Sequence, residues 1–299
     1  MLVPSILAGI DAPLLTPFHF DGNVNYEEYT RLTRFVTENG IHGVFVCGTT
    51  GEFINLTLEE RKKLLTAAVE GAVPGTSILF NTTAMNLRDM KELFDWARGN
   101  GATAVSVTPP YYHKYKYTAL VAYFQKASEL AGDLPLYLYN MPGMTGNPIT
   151  APVLAEVCRT CPNVAGVKDS SMDFVVLQEY QCLDLPQGFE LVTGNDAQAL
   201  PALQAGCSGA LIALASVYPA LAQSVWDCFQ AGKLDEAQAA QKKLILLRSL
   251  VREITPITSH KKLLEAQGFR MGPARFPMRD LSQHEADDLL TRAQAILAR

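Results

Sequence analysis

The sequence predicts an α/β fold, a (β/α)8 TIM barrel carrying a C-terminal helical extension. Three observations predict it. Eight short apolar runs alternate with stretches of helical period. The runs are apolar throughout rather than at every second position, as in strands of a parallel sheet buried on both faces. The length, 299 residues, matches one barrel of about 250 residues plus an extension.

The first run, Ala12–Thr16, ends at Pro17-Phe18 and has no glycine-rich dinucleotide loop behind it, which argues against a doubly wound sheet. Helix Tyr26–Asn39 follows, with Leu32, Phe35 and Val36 set among charges and a stop at Asn39-Gly40. Run two, Gly43–Cys47, leads to helix Thr57–Gly71, which opens on a capping box of Thr57 and Glu60. Runs Ser77–Asn81, Ala104–Thr108 and Leu136–Asn140 are followed by helices Asn86–Gly99, Thr118–Ala131 and Ala151–Cys158. Runs Ala165–Lys168, Glu190–Thr193 and Ala210–Leu214 alternate with helices Phe174–Tyr180, Ala197–Ala205 and Pro219–Gln230. The rest is helical: Leu234–Glu253, Thr258–Gln267 and Ser282–Ala298. The expected division is a barrel over 1–230 and a packed extension over 231–299, whose helices read as packing.

Composition narrows the function. A net charge of −5 gives no general attraction to nucleic acid or to an anionic membrane, so an anionic substrate needs a local site. No apolar stretch reaches the ~20 residues of a membrane span. Met1–Ile10 carries no Lys or Arg and so lacks the basic start of a signal peptide, which predicts a cytoplasmic protein. The six cysteines are scattered and form no secreted disulfide framework; Cys158 and Cys161 have no second ligand pair at zinc spacing. The five histidines lie far apart, and no metal site is expected.

In a barrel the C-terminal ends of the strands converge on one face. Those ends carry Gly48-Thr49-Thr50-Gly51-Glu52, Thr108-Pro109-Pro110-Tyr111-Tyr112, Tyr139-Asn140-Met141-Pro142, Lys168-Asp169 and Gly194-Asn195-Asp196. Lys168 ends a buried strand, where desolvation favours the neutral amine that Schiff-base formation needs. A lone lysine there would be read as paired with Asp169 or reaching to solvent; the tyrosine and threonines on the same face reverse that preference. Tyr139 can move protons and Thr49 can relay them, although alone each is equally a core aromatic and a turn residue. The amides of Gly48 to Gly51 can form a concave site for a carboxylate, with Glu52 holding the loop in shape. The aromatic and basic run from Tyr111 to Tyr117 fits a substrate-covering or subunit-contact loop better than nucleic-acid stacking.

These motifs, with Thr16-Pro17-Phe18 and Asp21-Gly22, resemble the dihydrodipicolinate synthase / N-acetylneuraminate lyase family along essentially the whole chain. The resemblance implies a Schiff-base lysine at Lys168, a proton shuttle at Tyr139 and its hydroxyl partner at Thr49. It implies that Thr50 and its loop, including Gly48 and Gly51, hold the carboxylate of a 2-oxo acid. It further implies that Tyr112 is lent across a subunit interface of a homotetramer built from dimers, and that no cofactor is needed.

Two departures bear on substrate. Met144 stands where dihydrodipicolinate synthases usually carry an arginine for the aldehyde's carboxylate, and a methionine makes no bidentate ion pair. Ala197 follows Asp196 where sialic acid lyases usually have an acidic residue. The remaining likeness is to 2-keto-3-deoxy sugar acid aldolases. Met144, Asp196 and the Ser208–Ser216 region are the expected lining of the second-substrate pocket, with ordinary loop packing as the alternative for each. The expected reaction is reversible cleavage of such an acid to pyruvate and an aldehyde. Rivals are a dihydrodipicolinate synthase, a sialic acid lyase, a Schiff-base dehydratase, a metal-dependent aldolase and a non-catalytic 2-oxo acid sensor.

Overall fold

The computed structural model describes residues 5–298. Eight strands, β1 (Gly9–Pro13), β2 (Gly43–Val46), β3 (Ser77–Asn81), β4 (Ala104–Val107), β5 (Leu136–Asn140), β6 (Val164–Asp169), β7 (Glu190–Thr193) and β8 (Gly209–Leu211), pair in chain order and close into a barrel. All pairs are parallel, and β8 returns to β1 with Gly9 opposite Gly209. The helices between them are α1 (Tyr26–Glu38), α2 (Leu58–Gly71), α3 (Leu87–Gly99), α4 (Tyr117–Ala131), the single turn α5 (Pro142–Thr145), α6 (Ala151–Thr160), α7 (Phe174–Gln181) and α8 (Ala199–Gln204). After β8 come α9 (Pro219–Gln230), α10 (Leu234–Ile254), α11 (Pro256–Glu265) and α12 (Gln283–Leu297).

Local chemistry sets the ends of these elements. Thr57 accepts from the Glu60 N–H while the Glu60 side chain accepts from the Thr57 N–H, the predicted capping box of α2. Ser282 and Glu285 repeat the device on α12. Proline stands at the start of α5, α6, α9 and α11, where its missing N–H costs nothing.

The packing has two layers. A large outer core fills the space between helices and strands, and a small inner core of Phe45, Leu79, Tyr137, Tyr139, Val192 and Leu211 fills the barrel. The inner layer is not purely apolar. Glu190 accepts hydrogen bonds from the N–H groups of Ile6 and Leu7 and from the Tyr137 hydroxyl. Asp11, fully buried on β1, has no hydrogen-bond partner on either carboxyl oxygen among the described residues. Burial first, and then the charge of Glu190, hold its proton affinity far above that of an ordinary carboxylate.

Three elements differ from the sequence expectation. β1 lies three residues earlier than Ala12–Thr16, because its pairing begins with Gly9 opposite Gly209 and Asp11 opposite Gly43, and the chain turns out once the Thr16 hydroxyl bonds to the Gly51 carbonyl. β8 stops at Leu211, and Ala213–Ser216 winds into a 3₁₀ turn with the Leu214 N–H held by Asp196 Oδ1 at 2.8 Å. Short apolar runs fit either conformation, so composition does not separate them. The Ala197–Ala205 helix is split into a 3₁₀ turn at Asp196–Gln198 and the short α8. No helix among the described residues is long and apolar enough to cross a membrane, and all six cysteines are free.

Candidate active site

β6 delivers Lys168 to the C-terminal mouth of the barrel, in register with Tyr139 of β5. Neighbours in parallel register point to the same face. The Lys168 side chain therefore lies against the Tyr139 ring, with Nζ 4.2 Å from its centroid, and 4.8 Å from that of Phe45. The residue is 4% exposed, and burial lowers its proton affinity from the ordinary lysine value, partly offset by Tyr139 and by the more distant Asp196 and Asp11.

The two competing readings of this lysine do not hold. Asp169 points to the other face, where it accepts from Asn140 Nδ2 at 2.8 Å and from Ser171 N at 2.9 Å. The amine does not reach bulk solvent. Gly194, just past the end of β7, leaves room for both Ser170 and the lysine stem: a Cβ there would overlap Ser170 Oγ and lie 2.9 Å from Lys168 Cε and 3.1 Å from the Asp169 carbonyl oxygen. Gly194 is thus a positional requirement that the sequence analysis did not single out.

The Tyr139 hydroxyl is 3.1 Å from Thr49 Oγ1, and its ring packs edge-on against Phe45. Thr49 stands on the loop after β2, which begins and ends with left-handed residues, Cys47 (φ 57°) and Glu52 (φ 59°). Gly48 packs flat on Phe45 and Gly51 against the Leu14 carbonyl; a Cβ at either would approach to 2.7 and 2.9 Å. Both glycines shape the loop, and neither lines the cavity described below. The N–H groups of Gly51, Glu52 and Phe53 bond back into the loop. Among the described residues, no protein group accepts from the N–H of Thr49 or Thr50. With the Gly51 N–H engaged and Gly48 away from the cavity lining, the anion cradle expected over four amides narrows to these two and the Thr50 hydroxyl.

Glu52 serves the loop rather than the cavity. Its carboxylate is 2.8 Å from Lys261 Nζ of α11, both side chains buried, and accepts from the Arg275 N–H at 2.9 Å.

Lys168, Tyr139, Thr49, Thr50, Asp196 and Met144 all line one cavity of about 440 Å³. Met144, 69% exposed, stands at its rim. Asp196 is buried, with Oδ1 engaged by Leu214. Of the Ser208–Ser216 region, Leu211 and Ala213 line it. Tyr112 does not: it projects from the loop after β4, 90% exposed, with left-handed φ (78°). The buried Asn147 pins that loop, donating to the carbonyls of Pro110 and His113 and accepting from the Tyr115 N–H. A bulky residue held left-handed and in solvent is costly to the isolated chain.

The helices after β8 were expected to be packing alone; the structure corrects this. Arg248, Val251, Arg252 and Thr255 of α10, and His260 of α11, also line the cavity. The signal was present as a stripe at i, i+3, i+4 and i+7 holding two arginines. Among the described residues, no three His, Cys, Asp or Glu are grouped to hold a metal ion.

Comparison with known proteins agrees with this architecture. Residues 6–296 match the model of the Dihydrodipicolinate synthetase family. A 4-hydroxy-tetrahydrodipicolinate synthase of Methanoculleus marisnigri is 31% identical over 284 residues, covering 94% of this chain and 96% of its own. An uncharacterised DapA-like lyase of Pyrococcus horikoshii is 32% identical, with 91% and 94% covered. Among solved structures, dihydrodipicolinate synthase DapA-2 of Bacillus anthracis superposes with a TM-score of 0.91 at 26% identity, over 97% of this chain and 99% of its own. N-acetylneuraminate lyase of Proteus mirabilis does so with a TM-score of 0.89 at 26% identity, over 98% and 99%. The chain belongs to the dihydrodipicolinate synthetase family and is a carbon–carbon lyase of its class I, Schiff-base aldolase type.

Proposed function

We propose that the enzyme reversibly cleaves a 2-keto-3-deoxy sugar acid, or a related 4-hydroxy-2-oxo acid, to pyruvate and an aldehyde through an imine on Lys168. One observation carries the reading: a desolvated amine against the ring of Tyr139, whose hydroxyl is within hydrogen-bond distance of Thr49. Met144 in place of a loop arginine supports a sugar acid over an amino-acid aldehyde.

The chemistry follows from these groups. The neutral Lys168 amine adds to the 2-oxo carbon while Thr50 and the amides of Thr49 and Thr50 hold the substrate carboxylate. Loss of water, with the proton supplied through Tyr139, gives a protonated imine that withdraws electrons from C3. Tyr139, relayed by Thr49, takes the proton of the C4 hydroxyl; the C3–C4 bond breaks and the aldehyde leaves. The enamine is protonated at C3, and water releases pyruvate and the free amine. No metal or organic cofactor takes part in these steps.

Tyr112, exposed and strained in the single chain, is proposed to complete the relay in a neighbouring subunit of a homotetramer. The proposed working place is the cytoplasm. The relatives named 4-hydroxy-tetrahydrodipicolinate synthase support a second reading, condensation of pyruvate with an amino-acid aldehyde.

The test is intact-mass spectrometry after incubation with pyruvate and borohydride. One reduced pyruvate mapped to Lys168, and absent from Lys168→Ala, is the expected result. An active wild-type protein without an adduct overturns the Lys168 mechanism. Product analysis with a sugar acid and with pyruvate plus the amino-acid aldehyde separates the two readings.

A further inference from the structure

The wall that α10 and α11 contribute to the cavity carries charge that the imine chemistry leaves unused. Arg248 and Arg252 stand at i and i+4 of α10, a spacing at which like charges repel. Neither forms an ion pair with a carboxylate among the described residues; Arg248 donates only to Met172 Sδ, at 3.3 Å. The same helix uses its other arrangement freely, since Arg292 of α12 is paired with Glu253. Asp196 acts on Arg248 through space, but its Oδ1 is committed to the Leu214 N–H.

On the same cavity wall His260 is 4% exposed, and neither ring nitrogen has a hydrogen-bond partner among the described residues. The Pro256 carbonyl one turn back lies near the ring without the alignment of a hydrogen bond. Burial lowers its proton affinity, which favours the neutral imidazole with one ring nitrogen a donor and the other an acceptor. A buried polar group without a partner is costly, and a ligand that completes it relieves that cost.

The carboxylate of the 2-oxo acid is already provided for by Thr49 and Thr50. The cavity is also far larger than a three-carbon acid fills. We propose that Arg248 and Arg252 form an anion subsite for the far end of the second fragment, with His260 hydrogen-bonding the chain between. The substrate class is then an open-chain 2-oxo acid with a second anionic terminus, carboxylate or phosphate, and the released aldehyde carries that charge. The positive charge missing at Met144 is supplied from a different wall. This inference rests on the imine mechanism proposed above.

The test compares three aldehydes in condensation with pyruvate: glyceraldehyde, glyceraldehyde 3-phosphate and succinic semialdehyde. Wild type is expected to favour one of the anionic aldehydes over glyceraldehyde in kcat/KM. In Arg248→Gln and Arg252→Gln that ratio falls by about 10- to 100-fold, through KM more than kcat. Arg248→Lys, which keeps the charge but not the fork, restores part of it. Preference for the phosphate or for the carboxylate identifies the terminus. Equal use of glyceraldehyde by wild type, or a ratio unmoved by both glutamine variants, overturns the subsite. The borohydride-trapped pyruvate adduct is followed in the same samples: its absence from wild type defeats the parent mechanism, whereas its presence with an unmoved ratio defeats the subsite alone.

Discussion

Glu52 and Lys261 lie 2.8 Å apart with both side chains withdrawn from solvent, and they join the Thr49–Thr50 loop to α11. Lys261 also donates to the Pro273 carbonyl at 3.0 Å and sits 4.4 Å from the Phe18 ring centroid. Removing one partner leaves a buried charge uncompensated. Glu52→Gln and Lys261→Met should each destabilise the protein by about 3–5 kcal/mol in denaturant unfolding. The double variant Glu52→Leu/Lys261→Met should lose clearly less than the two single losses added together. Strict additivity would show that the pair is not coupled.

The hydroxyl contact between Tyr139 and Thr49 is expected to set the rate. Tyr139→Phe keeps the ring that packs on Phe45 and Lys168 but removes the proton carrier, and kcat should fall by about 10²–10⁴. Thr49→Val should cost less, about tenfold, because the phenol remains. Circular dichroism and Tm should be close to wild type in both, and turnover is the readout. An undiminished kcat in Tyr139→Phe would remove it from the mechanism.

Burial shifts Lys168 toward its neutral form, so trapping by pyruvate and borohydride should rise to half its maximum below the ~10.4 of a free lysine. The same shift bears on stability. The folded state binds fewer protons than the unfolded chain between the two proton affinities, so this group's contribution improves as pH rises through the folded value. Lys168→Met should therefore be more stable than wild type at neutral pH, by about 1.4 kcal/mol for each tenfold change in affinity, with the gap closing at alkaline pH. A gap that widens with pH would contradict the assignment.

Asp11 has the opposite sign. Its folded proton affinity is raised, so the folded state holds a proton that the unfolded chain gives up, and stability falls as pH rises from about 4 to the folded value. Asp11→Asn keeps the shape without the acid. Its Tm should match wild type near pH 4 and exceed it by about 2 °C or more at pH 8. Parallel Tm curves across that range would show that Asp11 does not titrate on unfolding.

The barrel and its reacting face were legible because both are written locally. Eight apolar runs mark the strands, and their C-terminal ends converge on one mouth, which is how Lys168, Tyr139 and Thr49 came together from 139 and 168 and a loop at 49. The wall from α10 and α11 was not legible, because nothing local tells a helix that packs with one face from one that also borders a cavity. Arg248 and His260 read as ordinary helix residues until the chain is folded. Gly194 was named only as part of a strand end, and its packing role was not legible for a related reason: that role is its close approach to Ser170 and Lys168, and distance across strands has no sequence signature.

The seam where β8 meets β1 also has a consequence for how the chain is made. Gly209 packs so closely on the Gly9 backbone that a Cβ would lie 2.6 Å from its carbonyl oxygen, and the register there joins residues two hundred positions apart. Such a contact brings no reward until nearly the whole barrel has left the ribosome. Until then β1 has only β2 beside it, and its other edge is open to pairing with another chain. Closure of the seam is thus the expected late, slow step of folding, and a truncation before residue 209 should yield aggregates rather than a smaller soluble barrel.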